Sequence, residues 1–189
     1  FYCDYATRFF HIPVLDASQN RLIRDTQFIY VEKQRENLIS TFQYAYREAP
    51  FKEAGCELLK EILMDREPDV TTFLMKSIKH VMNYLQLKAK IIRASHLRES
   101  QHARKAEGIV ELCKLTGANL YINLPGGREL YQREFFHDNQ LDLRFLEPDI
   151  NRLQQHSGPV PADLSIIDLI MRFSPAELIN MMNYYSLCL

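Results

Sequence analysis

The pattern of hydrophobic positions changes twice along the first half of the chain. Two runs rich in aromatic and β-branched residues, 8–14 and 26–31, predict strands. After Lys33 the apolar residues recur at the spacing of one helix face, and two further segments before Leu85 repeat that spacing. The sequence therefore predicts two strands followed by three successive helices.

Short apolar runs alternate with helical segments in the second half. Strands are predicted at 88–93, 119–123 and 141–146, and helices near Cys113 and over 128–136. Two more helices follow, and the chain is expected to end on the last of them. The first can be capped by Asp163 or Ser165, and the second begins with a capping box, Ser174-Pro175-Ala176-Glu177.

Helices between successive strands favour right-handed crossovers and parallel pairing. We therefore expect an α/β fold with a mainly parallel sheet flanked by helices, Rossmann-like, carrying a helical insertion between Lys33 and Leu85. The chain has 189 residues, of which 47% are hydrophobic and 25% charged, as expected of one well-buried domain. Because there is no initiator Met and the first predicted strand begins at Arg8, we expect a segment upstream of this single domain to be missing.

Composition limits the partners and the compartment. The formal net charge is −1 and the charges are interleaved, so nucleic acid is not expected as a principal partner. No apolar run approaches the roughly 18 residues that span a bilayer, and no signal peptide precedes the first strand, which predicts a soluble, cytoplasmic protein. The cysteines fit no disulfide framework and are expected to be reduced: Cys3, Cys56, Cys113 and Cys188.

Ligands of open α/β sheets collect at the carboxyl ends of the strands, and two loops of this chain are predicted to lie there. Ser95 and His96 follow the strand predicted at 88–93, where a hydroxyl and an imidazole suit anion binding or proton transfer. The alternative is that Ser95 only caps a helix and that His96 is a solvated surface residue, neither of them with a function.

The second loop follows the strand predicted at 119–123. Its paired glycines let a ligand approach the backbone, and its arginine suits a carboxylate or phosphate, although a Gly-Gly pair also closes ordinary turns. The predicted ligand-binding residues here are Asn123, Gly126, Gly127, Arg128 and Tyr131. Because loops at the carboxyl ends of adjacent parallel strands open on one edge, we expect them to converge with Ser95 and His96.

Ser165 and Asp168 add a hydroxyl and a carboxylate three residues apart, on one side of a predicted helix. The alternative is a capping Ser165 and a surface Asp168. No metal site is expected, because the histidines show no ligand spacing with each other or with a cysteine. No sequence motif identifies a cofactor.

Three stretches of the sequence, residues 46–51, 112–131 and 164–170, resemble motifs of the WbqC-like family of bacterial surface-polysaccharide and natural-product gene clusters. Tyr46-Arg47-Glu48-Ala49-Pro50-Phe51 is similar to the family's Y-x-x-A-P-[YF], and residues 112–131 are similar to its CKxLGAxxYIxxxGGxxLY. Residues 164–170 are similar to its LSIIDLL element. The family's opening M-Q-P strand and loop is absent here, so the resemblance implies a single α/β domain, 1–189, that lacks its N-terminal strand and loop. The chain also has no Trp, although the family often places one before the helix that begins near Lys33.

The resemblance implies a transferase of surface-glycan (O-antigen) or related biosynthesis that moves an acyl or aminoacyl group onto an amino sugar. Ser95, His96 and Asp168 are then the candidate proton-transfer groups, with an amino sugar, nucleotide sugar or acyl donor as the small-molecule partner. Nucleotidyl transfer or nucleotide-sugar binding is one alternative. The other is a non-catalytic accessory that binds a pathway enzyme or carrier protein through its last helix, although core packing of Met181, Met182, Tyr184 and Tyr185 explains that helix too.

Overall fold

The computed structural model describes residues 1–3, 6–97, 105–157 and 164–189, and it is a mixed α/β structure rich in helix. The helices of these residues are α1 (Glu32–Ala45), α2 (Lys52–Leu63), α3 (Val70–Tyr84), α4 (Lys105–Thr116), α5 (Arg133–Asp138), α6 (Ile150–Ser157), α7 (Ile166–Arg172) and α8 (Pro175–Met181). The strands are β1 (Tyr2–Cys3), β2 (Ala6–Thr7), β3 (Leu120–Asn123), β4 (Asp142–Pro148) and β5 (Tyr185–Cys188). Short 3-10 turns cover Ile23–Asp25, Ala94–His96 and Pro125–Leu130.

The chain divides into two compact units. Unit 1 comprises Phe1–Ala89 and Ser157–Met182, and unit 2 comprises Lys90–His156 and Asn183–Leu189. A compact unit is not by itself a domain, because a domain also folds alone. The single α/β domain expected from the sequence therefore stays a prediction.

Unit 1 is built on helices α1, α2, α3 and α7, and the three successive helices expected between Lys33 and Leu85 are confirmed as α1 to α3. The apolar stripes of α1, α2 and α7 meet in one cluster, which consists of Phe1, Ile39, Phe42, Tyr46, Leu59, Leu63, Ile167 and Met171. Each large side chain buried there contributes about 1.5–3 kcal/mol. Gly55 lets α2 approach α7 closely, since a Cβ at that position would overlap Sδ of Met171.

Arg35, a buried residue of α1, forms hydrogen bonds to the end of α2. The guanidinium of Arg35 donates to the carbonyl oxygens of Leu63 and Asp65 at 2.6 and 2.8 Å, which caps carbonyls left free where α2 ends. Its faces lie over the rings of Tyr30 and Phe73, 4.6 and 5.4 Å from the ring centroids. Burial lowers the pKa of this guanidinium from its ordinary value.

Unit 2 contains a three-stranded sheet in the order β3-β4-β5. β3 pairs parallel with β4, and β4 pairs antiparallel with β5. One face of the sheet packs on α4 and α5 through a core of Val110, Cys113, Phe136, Leu141, Leu143 and Phe145. The α/β class is thus confirmed, whereas one parallel and one antiparallel pair do not make a mainly parallel, Rossmann-like sheet.

Three predicted strands are corrected. Residues 88–93 have no strand structure, so the central strand placed there is wrong. Residues 8–14 and 26–31 contribute only two isolated bridges, Val14 to Phe28 and Gln27 to Asp69. In each case the side chains favour extended backbone, but a strand also needs a continuous partner to satisfy its N–H and C=O groups.

The strands predicted at 119–123 and 141–146 are confirmed as β3 and β4. The helix predicted over 128–136 is instead a 3-10 turn, Pro125–Leu130, followed by α5. The expectation that the chain ends on a helix is wrong, because β5 follows α8 and pairs with β4. The capping box before α8 is confirmed, with Ser174 and Glu177 each accepting a hydrogen bond from the other's backbone N–H.

The thiols of Cys56, Cys113 and Cys188 are free, and burial raises the pKa of the Cys113 thiol. Reduction of Cys3 stays a prediction. No helix in the described part of the chain is long and apolar enough to cross a membrane.

Candidate functional site

The parallel pair β3–β4 brings two loops to one edge of the sheet in unit 2. Asn123, the last residue of β3, lies opposite Phe145, and both strands run on toward the same edge. The Gly-Gly loop follows β3 there, and the Glu147-Pro148-Asp149 segment ends β4 and leads into α6. The carboxyl ends of adjacent parallel strands therefore do create a shared edge, as ligand sites of α/β sheets require.

The Gly-Gly loop is held in place by the side chain of Asn123. Its Oδ1 accepts the backbone N–H of Leu124 at 2.8 Å, and its amide lies directly over the α-carbon of Gly127. A Cβ on Gly127 would overlap Asn123 Nδ2, whereas a Cβ on Gly126 would meet no atom within 4 Å. Gly127 is therefore required for packing, and Gly126 is not.

Arg128 crosses from the Gly-Gly loop to the end of β4. Its Nη2 lies 2.7 Å from Oε1 of Glu147, and its guanidinium carbon lies 5.3 Å above the ring centroid of Phe145. The side chains of Arg128 and Glu147 are 45% and 32% exposed. The arginine predicted to meet a ligand carboxylate thus meets a protein carboxylate at the edge of the sheet.

Glu147 also lines a cavity of about 280 Å3, which we call the carboxyl-edge pocket. Its lining residues are Glu147, Pro148, Asp149, Arg152, Asn183, Tyr184, Tyr185 and Ser186. Antiparallel pairing of β5 with β4 supplies the far wall, because Ser186 lies opposite Glu147 and Tyr185 opposite Pro148.

Asp149 and Arg152 fix the floor of the pocket at the start of α6. Oδ1 of Asp149 accepts the backbone N–H of Arg152 at 3.0 Å, as an N-cap does, and the N–H of Asp149 donates to the carbonyl of Tyr184 at 2.8 Å. The guanidinium of Arg152 lies 4.0 Å above the centroid of the buried Tyr184 ring. Two carboxylates and two arginines thus converge on one edge without large net charge.

Tyr131 is partly buried and packs against the core of unit 2, and its predicted contact with a ligand stays a prediction. Its ring meets Tyr121 and Phe136 edge-on, with centroids 6.1 and 5.7 Å apart. Burial raises the pKa of Tyr121 to about 12, with smaller contributions from Tyr131. A neutral Tyr121 phenol is therefore retained far above physiological pH.

Ser95 and His96 lie on an exposed 3-10 turn of unit 2. Within the described residues, no hydrogen bond or ion pair joins either side chain to the Gly-Gly loop. The geometric reason for their convergence on that loop was the strand at 88–93, and this strand is absent from the sheet. Their role in a site stays a prediction without that support.

Asp168 and Ser165 belong to unit 1. The Tyr46 hydroxyl donates to Oδ1 of Asp168 at 2.7 Å, and Nε of Arg172 lies 3.1 Å from Oδ2. The carboxylate is 1% exposed, so the alternative of a surface Asp168 is wrong. A carboxylate occupied in this way is better explained as a buried structural anchor than as a proton carrier, and its predicted catalytic role has no support from these contacts.

Ser165 is the N-cap of α7, since its Oγ accepts the N–H of Ile167 at 3.4 Å. Asp163, the other predicted cap, lies outside the described residues. Of the apolar residues assigned to the last helix, Met181 and Tyr184 are buried and Met182 is 50% exposed. Tyr185 is 45% exposed and belongs to β5, not to the helix.

Sequence reasoning missed four pocket residues at the end of β4, at the start of α6 and in β5: Glu147, Asp149, Arg152 and Ser186. A signal was present, because Glu147-Pro148-Asp149 follows a predicted strand in the same way as the Gly-Gly loop does. The partner Ser186 had no such signal, since its position depends on the distant pairing of β5. Among the described residues no group of three His, Cys, Asp or Glu side chains could hold a metal ion, and His102 lies outside them.

Comparison with known proteins identifies a family and nothing finer. The model of the WbqC-like protein family matches residues 4–179. No curated protein matches the chain. No solved structure matches it either.

Proposed function

The chain belongs to the WbqC-like protein family, and from that premise we propose that it is a transferase of surface-glycan biosynthesis. In this proposal the carboxyl-edge pocket binds an amino sugar, which accepts an acyl or aminoacyl group. The observation that carries the proposal is the pair of carboxylates, Glu147 and Asp149, on a small pocket that also holds hydroxyl and aromatic groups.

The lining chemistry suits a sugar that bears an ammonium group. Carboxylate oxygens accept hydrogen bonds from ammonium and hydroxyl groups, and charge-assisted bonds of this kind are the stronger ones. Glu147 is already held in position by Arg128, so its second oxygen can meet a ligand at little cost in side-chain entropy. The hydroxyl of Ser186 and the half-exposed ring of Tyr185 complete a polar and aromatic wall.

The size of the pocket favours a single sugar ring. Its volume of about 280 Å3 lies just below the usual range for small-molecule sites, roughly 300–1,000 Å3. A whole nucleotide sugar would extend beyond it. This supports the amino-sugar assignment over the alternative in which the Gly-Gly loop and Arg128 cradle a nucleotide diphosphate, since Arg128 is also engaged with Glu147.

In the transfer step, the amine attacks the acyl carbonyl, a C–N bond forms, and the bond from the acyl carbon to its carrier breaks. The bound ammonium group must first lose one proton to become a nucleophilic amine, and a second proton leaves the nitrogen on acylation and protonates the departing carrier. Ser95 and His96 are proposed for these proton transfers because an imidazole is the side chain best suited to accept a proton near neutral pH. His96→Ala should then abolish transfer while leaving amino-sugar affinity unchanged.

Calorimetric titration with glucosamine, glucose and N-acetylglucosamine tests the binding proposal. Glucosamine should bind roughly tenfold more tightly than either neutral sugar, as expected for one charge-assisted hydrogen bond. Glu147→Gln and Asp149→Asn should reduce this preference, whereas Asp138→Asn, on α5 in the same unit, should not. Equal affinities for the three sugars, or a preference that survives in both pocket variants, would overturn the proposal.

A further inference from the structure

The two arginines at the carboxyl edge differ in what holds them. Arg128 lies over Phe145 and pairs with Glu147. Arg152 lies over Tyr184, closer to its ring at 4.0 Å, and within the described residues its guanidinium has no carboxylate partner. A stacked guanidinium that lines a pocket and forms no ion pair with the described residues can bind an anion.

The contact with Tyr184 also holds the guanidinium of Arg152 in position for a ligand. Tyr184 is 7% exposed and its ring centroid lies 4.0 Å from the guanidinium carbon of Arg152, so this contact restricts the positions that the guanidinium can take. The N–H donors of a guanidinium match two oxygens of a phosphate in a bidentate arrangement. Arg152 lies in the first turn of α6, where the helix dipole adds positive potential.

We infer that the carboxyl-edge pocket binds a phosphorylated amino sugar, whose phosphate is held by Arg152 and whose ammonium group lies at Glu147. This inference rests on the proposed amino-sugar function and names its substrate class. The pocket then offers a cationic group, Arg152, and an anionic group, Glu147, to a ligand that carries both charges. A neutral sugar would form neither ionic contact, and inorganic phosphate would form only the contact with Arg152.

Such a phosphate has two possible sources. It is either the ester of a free sugar 1-phosphate or the phosphate next to the sugar in a nucleoside diphosphate sugar. Both present the same group to Arg152. Since the pocket holds little more than one sugar ring, the nucleoside of the second would lie outside it and add less affinity than the phosphate.

The test compares glucosamine, inorganic phosphate, glucosamine 1-phosphate and uridine diphosphate glucosamine by calorimetry. The wild-type chain should bind glucosamine 1-phosphate at least tenfold more tightly than glucosamine. Arg152→Met should remove this gain and leave glucosamine affinity unchanged, and Arg152→Lys should restore part of it. The matched control is Arg47→Met, which removes an arginine stacked on Tyr44 at 4.8 Å in unit 1 and should change no affinity.

The outcomes separate the two claims. If glucosamine binds but phosphate adds nothing, or the gain survives in Arg152→Met, the phosphate inference is wrong and the amino-sugar proposal stands. If glucosamine fails to bind while inorganic phosphate binds in an Arg152-dependent manner, the amino-sugar proposal is wrong. A larger gain with the nucleotide than with the 1-phosphate, also lost in Arg152→Met, would support the inference and identify the nucleotide as the source. Thermal unfolding of each variant confirms that the exposed substitutions leave the fold intact.

Discussion

Two acid–arginine pairs, one in each unit, have similar distances but very different surroundings. In unit 1, the side chains of Asp168 and Arg172 are 2% and 27% exposed, and the Tyr46 hydroxyl donates a further hydrogen bond to the carboxylate. In unit 2, the side chains of Glu147 and Arg128 are 32% and 45% exposed beside a cavity. A buried carboxylate that is bonded to Tyr46 and Arg172 is engaged within the fold, whereas a partly exposed one beside a cavity is accessible to a ligand.

The largest effect is expected from Asp168→Ala. This change leaves the Tyr46 hydroxyl and the partly buried Arg172 without their partner, and breaking a buried pair costs about 3–5 kcal/mol. Urea unfolding should show a loss of about 3 kcal/mol or more in the free energy of unfolding. The control is Asp138→Ala, whose carboxylate is 79% exposed beside His137 and should change stability by no more than about 0.5 kcal/mol. Equal effects of the two substitutions would remove the distinction between the two pairs.

Gly127→Ala should be the next most damaging, and it tests whether Asn123 fixes the Gly-Gly loop. The added methyl group overlaps the Asn123 amide, and overpacking of this kind costs about 1–3 kcal/mol. Gly126→Ala has open space and should leave thermal stability unchanged or slightly raised. In an Asn123→Ala background the penalty of Gly127→Ala should largely disappear. A penalty that persists there would mean that another contact of Gly127 is responsible.

The tyrosine cluster behind β3 predicts a loss of stability at alkaline pH. The pKa of Tyr121 is about 12 in the folded chain, against a model-peptide value of 10. The folded state therefore holds its proton more tightly, and stability should fall as pH rises from about 10 through 12, with no contribution below pH 10. Tyr121→Phe should flatten this part of the curve in thermal unfolding followed between pH 9 and 12. An unchanged slope in that variant would assign the alkaline loss to other groups.

The smallest effect on stability is expected from Arg128→Met. Exposed ion pairs contribute about 0–1 kcal/mol, so the melting temperature should hardly change. Amino-sugar affinity should nevertheless fall, because Glu147 loses the arginine that orients it. Calorimetry and thermal unfolding of the same sample give both values. A stability loss as large as that of Asp168→Ala would show that the Glu147 pair is structural too.

The sequence predicted the elements that depend on local interactions, and it failed where an element depends on a distant partner in the chain. Helices α1 to α3 follow from apolar spacing and from local caps such as Asp69, whose carboxylate accepts the N–H of Thr72 at 2.7 Å. Residues 88–93 have similar β-forming side chains to β3, but only β3 has a neighbour, β4, to pair with. Propensity does not supply a partner strand.

The candidate site shows the same limit. The Gly-Gly loop was found from local sequence, and its position after a parallel strand is confirmed. The convergence of Ser95 and His96 on this loop stays a prediction, and it has lost its geometric reason because the neighbour of β3 is β4 and not a strand at 88–93. The far wall of the pocket depends on β5, which pairs with residues about forty positions earlier in the chain.

The most direct test of the account is a titration of the isotope-labelled chain with glucosamine, followed by backbone amide signals. We expect the shifts to be confined to unit 2, at residues 126–128, 147–152 and 183–186 around the carboxyl-edge pocket. Signals around Asp168 in unit 1 should stay in place. Shifts centred on Asp168, or none at either place at saturating sugar, would contradict the assignment of the ligand site to the edge of the β3–β4 pair.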